Sequence, residues 1–221
     1  MTTQEERPLL EHVEQPDGVP ERLAAQIRFI VEIDKLKTVL RRSPLVADDR
    51  LENDAEHSWH LAMMVPILAE YADDPIDVGH TVELVLLHDL VEVYAGDTFL
   101  YDDEARQDQE AREQAAADRL FALLPDDQAV RFRALWDEFE ARQTPEARFA
   151  KAMDRLQPLL LNFNNRGGTW RTPGVTEADV LRRKAVIGEA SAELGAYART
   201  LIHLGADRGW VPRAGAEPDA G

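Results

Sequence analysis

The ten-residue run Val82-Glu83-Leu84-Val85-Leu86-Leu87-His88-Asp89-Leu90-Val91 is apolar nearly all round until an imidazole and a carboxylate interrupt it. A helix of that composition has no polar stripe to give to water, so it belongs inside a helical core. Burying His88 and Asp89 there costs several kcal/mol unless something offsets their charge. A cation does so directly. Two more groups of the same kind, His57 and Asp154, stand in other segments that read as helix. Two imidazoles and two carboxylates from three separate helices can enclose one divalent cation, with coordination positions left for water and substrate. That layout points to metal-assisted hydrolysis.

The rest of the chain supports a helical reading. Runs alternating at period two are few, and no Asn-Gly or Asp-Gly hairpin signal appears. Helices are predicted at about 20–41, 54–72, 76–95, 104–123, 126–142, 145–165 and 177–204. The fold class is therefore all-α, a bundle of about seven helices in one domain over residues 20–210. A mobile leader is expected at 1–19 and a flexible tail at 211–221. With 221 residues and 44% hydrophobic content, such a domain can bury a substantial core.

Composition narrows the chemistry. The absence of cysteine excludes thiolate nucleophiles and Cys-ligated zinc or iron–sulfur sites, and leaves any metal to imidazole and carboxylate. A formal net charge of −17 repels a nucleic-acid backbone, so no polymer of that kind is expected as a partner. No window approaches the roughly 18 to 20 apolar residues that span a bilayer, and a cytoplasmic protein without membrane contact is expected. Neither a Gly-x-Ser-x-Gly nor a Walker-type loop occurs.

Local signals place the candidate residues. Asn53 with Glu56 forms an Asn version of the capping box and puts His57 in the first turn of its helix. His57, Leu61, Met64, Leu68 and Tyr71 then follow one inward face, while His60 turns towards a flank. Glu92 lies at i+4 from His88 and i+3 from Asp89, so the three project together. Gly96 is a helix terminator and Asp97 follows it. Thr144-Pro145-Glu146 opens the helix that carries Lys151, Asp154 and Arg155. Pro158 predicts a kink at Asp154, whose carbonyl it deprives of a partner. The Gly167-Gly168-Thr169-Trp170 stretch reads as a turn with Trp170 packing back.

Glu56-His57-Ser58, His88-Asp89 with Glu92 and Gly96-Asp97, and Lys151-Ala152-Met153-Asp154 together resemble the HD-domain superfamily of metal-dependent phosphohydrolases. Within it, the small bacterial branch that includes the 5′-deoxynucleotidases is the most similar, and the resemblance spans roughly residues 22 to 204. It implies a helical bundle that pairs into a homodimer. His57, His88, Asp89 and Asp154 are implied as metal ligands, and Glu92 and Asp97 as acid–base residues. It also implies a phosphate-holding Arg near the end of the first helix; Arg41 fits the spacing better than Arg42. The aromatic neighbour found beside that Arg in some relatives is missing, since Arg42 and Ser43 follow.

The expected activity is hydrolysis of a phosphomonoester, a (deoxy)nucleoside 5′-monophosphate, by a metal-activated water. Glu92 would orient or deprotonate the water, Asp97 protonate the leaving alkoxide, and Arg41 with Lys151 bind the substrate and offset developing charge. Mixed imidazole and carboxylate ligation favours Mn²⁺, Co²⁺, Ni²⁺, Fe²⁺ or Zn²⁺ over Mg²⁺. A non-catalytic metal-binding sensor or scaffold is the alternative, and the spare carboxylates Glu92 and Asp97 argue against it. A di-iron oxygenase ranks lower, because no His lies between His88 and Asp154 to bind a second metal.

Overall fold

The computed structural model describes residues 16–101 and 108–213. Residues 1–15 of the expected leader, 214–221 of the expected tail, and the start of the helix expected at 104 lie outside them. The described chain is helical, with one two-stranded sheet among its residues. Helix α1 (Glu21–Ile33) passes through a 3₁₀ turn at Asp34–Thr38 into β1 (Leu40–Pro44), which pairs antiparallel with β2 (Leu51–Asn53). Then come α2 (Asp54–Leu68), α3 (Val78–Leu87), the single-turn α4 (Glu92–Ala95), α5 (Gln109–Phe121) and α6 (Asp126–Ala141). The long α7 (Pro145–Asn164), α8 (Glu177–Lys184) and α9 (Ala192–Asp207) complete the bundle.

The apolar run forms α3, which packs against α2, α6 and α7 at the centre of the core. Leu84 and Val85 have no exposed surface, and each such side chain contributes roughly 1.5–3 kcal/mol on leaving water. Burial is not complete on every side, since Leu86 faces outward and is 44% exposed.

Three expected boundaries are corrected. The first helix ends at Ile33, short of 41, and the β1–β2 hairpin follows it. These strands are too short for alternation to stand out, and their register shifts between Leu40 and Pro44. Arg41 therefore sits on a strand. The helix expected at 76–95 is interrupted at His88: Glu92 N–H reaches back only to Asp89 O at 3.0 Å, and the His88 carbonyl takes the Trp136 indole N–H at 3.2 Å. Tightening of this kind in mid-helix marks functional sites. The helix expected at 177–204 divides into α8, a 3₁₀ stretch at Ala185–Glu189 and α9, which Ser191 caps by accepting from Leu194 N–H at 3.1 Å. Gly188 and Gly195 meet at the join, where a Cβ on Gly195 would lie 2.6 Å from Gly188 Cα.

Candidate active site

The capping box predicted at the start of α2 is present. Asn53 Oδ1 accepts from Glu56 N–H at 3.0 Å, and Glu56 Oε2 accepts from Asn53 N–H at 3.2 Å. It delivers His57, fully buried, to the bundle interior one turn on. His88 ends α3, and Asp154 lies midway along α7. Donor atoms of His57, His88 and Asp154 all lie within 4.8 Å of one another. Asp89 joins them, with Oδ1 3.0 Å from His88 Nε2 and Oδ2 3.9 Å from His57 Nε2. The four side chains picked out as ligands thus converge.

The atoms left without partners show that this site suits a cation. His88 Nδ1 lies 2.8 Å from Val85 O, and because a carbonyl only accepts, Nδ1 carries the proton. Nε2 is then directed into the site, a buried atom 3.0 Å from Asp89 Oδ1 that makes no hydrogen bond and could offer its lone pair to a cation. His57 Nδ1 lies 3.1 Å from Gln157 Oε1, which turns Nε2 towards Asp154 Oδ1 at 3.3 Å. Orientation of ligand imidazoles through their second nitrogen is the usual support for a metal. Asp54 Oδ2 and Glu92 Oε2 are likewise buried and unpartnered. A pocket with this donor set, rich in carboxylate and free of sulfur, fits one divalent cation.

Electrostatics agree. Burial opposes ionisation of Asp154, but Arg155, Lys151 and His57 outweigh it and hold the carboxyl well below its usual range. Asp89 is also lowered, its burial overcome by His88 and Arg41. Burial and Arg41 push His57 down, yet Asp154 and Glu52 raise it to about 9. Burial first, and then the Asp89 charge, raise Asp54 to about 8 and Glu92 to about 10. Burial likewise raises Asp97, partly countered by Arg41. Burial and the crowding of negative charge in a small dry volume both favour the protonated form of these carboxyls, and a cation in the site opposes that.

Arg41, and not Arg42, reaches this cluster. Its Nη1 donates to Asp54 Oδ1 at 2.8 Å and Asp89 Oδ2 at 2.9 Å, and lies 3.7 Å from Asp97 Oδ1. Arg42 instead stacks over the Phe99 ring at 4.7 Å. Lys151 Nζ is 3.1 Å from Asp154 Oδ2 and sits over Phe139. A cavity of about 680 Å³ opens on the cluster, lined by Arg41, His88, Asp89, Glu92, Asp97 and Asp154 among others.

Sequence reasoning missed the residues behind these. Gln157 links His57 to Glu52, donating to Glu52 Oε1 at 2.6 Å. Glu52 and Asp54 flank Arg41, while Arg155, already placed on the Asp154 helix by the sequence, has Nη1 3.2 Å from Asp154 Oδ2. The signal was available for two of them: Asp54 stands three residues before His57, and Gln157 three after Asp154, on the same helical faces. His60 stands outside the His57, His88 and Asp154 group, with Nδ1 3.2 Å from Gln157 Nε2.

A helical bundle that closes two imidazoles and two aspartates around a polar cavity defines a class, and the comparison with known proteins agrees. The HD domain model matches residues 33–195, and the chain belongs to the HD domain family. It is similar to a predicted metal-dependent phosphohydrolase from Magnetospirillum magnetotacticum, at 55% identity and a TM-score of 0.82, covering 86% of this chain and 95% of that one. It is also similar to the 5′-deoxynucleotidase HDDC2 of Mus musculus, at 28% identity over 53% of this chain and 58% of that protein. The 5′-deoxynucleotidase YfbR of Salmonella arizonae matches at 30% identity over 51% of this chain and 60% of that protein. The chain thus spans little more than half the length of these curated relatives.

Proposed function

We propose that the protein is a divalent-metal-dependent phosphohydrolase that cleaves a phosphomonoester, a (deoxy)nucleoside 5′-monophosphate, into nucleoside and inorganic phosphate. The observation that carries this reading is the convergence of His57, His88 and Asp154 donors within 4.8 Å, beside carboxylates left unpaired. A purely structural metal site closes its coordination shell and needs no such surplus. The names of the relatives, phosphohydrolase and 5′-deoxynucleotidase, support the substrate class.

His57, His88, Asp89 and Asp154 are the residues that would hold the cation. When bound, a divalent cation supplies Lewis-acid polarisation of the phosphate and a water acidic enough to ionise near neutral pH. Burial and the Asp89 charge raise Glu92; with the charge of a bound cation offsetting them, its free Oε2, one turn from Asp89, would accept the proton of the attacking water. Water oxygen joins phosphorus, the bond from phosphorus to the sugar oxygen breaks, and Asp97 gives the leaving alkoxide its proton. Arg41 and Lys151 face the cavity with positive charge and stabilise the phosphate as its charge shifts towards the leaving oxygen. Arg41 also holds Asp54 and Asp89 in place, so its role is as much positioning as binding.

The reading includes a cytoplasmic homodimer. No described helix is long and apolar enough to cross a membrane. Trp59, Met63 and Ile67 form an exposed apolar stripe at four-residue steps along α2, a surface suited to a second copy.

Phosphate release from a nucleotide panel by metal-stripped protein, restored with each cation in turn, tests the proposal. Mn²⁺, Co²⁺, Ni²⁺, Fe²⁺ or Zn²⁺ should restore turnover better than Mg²⁺. Glu92→Ala should keep the metal and lose 10²-fold or more of kcat, roughly the worth of a general base, whereas Asp154→Ala should lose both. Metal binding without turnover on any nucleotide would favour a scaffold, and full activity in Glu92→Ala would remove its acid–base role.

A further inference from the structure

The Gly167-Gly168-Thr169-Trp170 turn takes no part in the cation site, yet it fixes an amide in the wall of the same cavity. Lys151, Asp154, Arg155, Pro158 and Asn162 line that cavity from one face of α7, at steps of three and four residues. Asn162 lies eight residues beyond Asp154, about 12 Å along the helix axis. That span accommodates a substrate with a phosphate at one end and a ring at the other.

The carboxamide of Asn162 has its orientation set by chemistry. Its Oδ1 accepts from Thr169 N–H at 2.9 Å and from the Thr169 hydroxyl at 3.0 Å. A backbone N–H only donates, so oxygen must face the turn and Nδ2 must face away from it. Gly168 is shaped to this contact: it adopts φ +45°, and a Cβ there would lie 2.5 Å from Asn162 Oδ1. Gly167, at φ +115°, brings the chain close to the Trp210 carbonyl, which a Cβ would meet at 2.6 Å. Trp170 is wholly buried and anchors the turn. Asn162 is only 1% exposed and lines the cavity; its oxygen is engaged by Thr169, and among the described residues no hydrogen bond engages its Nδ2 donors. A donor so oriented in a cavity wall is free to meet an acceptor on a ligand.

We infer that Asn162 is a specificity-determining residue, offering an amide donor to a carbonyl acceptor on the part of the substrate remote from its phosphate. The inference rests on the proposed phosphomonoesterase reading. On a nucleotide, the carbonyl at C4 of a keto pyrimidine or C6 of a keto purine would accept from that donor, and the amine at the same position of the amino base would not. Asn162 would then discriminate between bases at a distance from the reacting phosphorus.

The test compares kcat/KM for deoxyuridine and deoxycytidine 5′-monophosphates, which differ at one exocyclic position, carbonyl against amine. Deoxyinosine and deoxyadenosine 5′-monophosphates form the matching purine pair. Wild-type protein should favour the keto member of at least one pair by about fivefold, the worth of one neutral hydrogen bond. Asn162→Asp keeps an oxygen for Thr169 and replaces the donor with an acceptor, so the preference should reverse while bound metal stays the same. A wild-type ratio near one in both pairs overturns the inference and needs no variant. A preference that survives unchanged in a folded, metal-loaded Asn162→Asp protein also overturns it. Failure of wild-type protein to cleave any nucleotide would instead remove the proposed function on which the inference stands.

Discussion

Gln157 has no charge and no exposed surface, yet the geometry of His57 depends on it. Its Oε1 takes the Nδ1 proton while its Nε2 is held by Glu52, so the ring is aimed by a chain of two hydrogen bonds. Gln157→Ala should weaken metal affinity by roughly 10–100-fold, the usual cost of losing such support, as read by competition with a chelator. Unchanged affinity would show that packing alone aims the ring. Lys184 raises a different question. It is 4% exposed, and among the described residues its hydrogen bond goes to the Arg155 carbonyl, at 2.8 Å. Burial, and then the charge of Arg155, push it down from 10.5 to about 7. The folded protein therefore binds this proton less tightly than the unfolded chain, and stability rises with pH between about 7 and about 10.5. Lys184→Met should raise stability by about 1 kcal/mol or more at pH 7 and below. The gain should shrink as pH climbs towards 10.5, and a gain independent of pH in thermal melts would contradict this account.

Among the elements, α2 owes its start to Asn53 and Glu56, and that start fixes where His57 enters the core. Asn53→Ala should cost about 1 kcal/mol, seen as a drop in Tm, and should loosen metal binding because the first turn frays. Loss of stability with metal affinity intact would separate the cap from the site. The capping box, the Thr144 cap of α7 and the burial of α3 were all readable in the chain, since each depends on neighbours three or four residues away. The β1–β2 hairpin was not. Its strands carry no clear alternation, and they are held by pairing across a turn that lacks the usual residues. The break at His88 was equally hidden, because the Trp136 indole that captures its carbonyl comes from α6, 48 residues away.

At the scale of the whole molecule, the bundle brings α2, α3 and α7 together and leaves a stripe on α2 uncovered. Trp59, Met63 and Ile67 are 64%, 46% and 63% exposed. If they meet a second copy, sedimentation should give twice the chain mass of 24.9 kDa, and Ile67→Glu should shift the protein to monomer without unfolding it. A monomeric wild-type protein would leave that stripe to another role. The chain by itself determined the helical class, the inward faces and the identity of the converging side chains, because periodicity and composition report which groups must leave water. Only the tertiary structure decided that Arg41 reaches Asp54 and Asp89 from a strand, that Gln157 and Glu52 stand behind His57, and that a glycine turn pins Asn162. Those pairings span 7 to 105 residues. Local spacing can put Asp54 and Gln157 on the faces that carry His57 and Asp154, but which partner each side chain takes is decided only when the bundle closes.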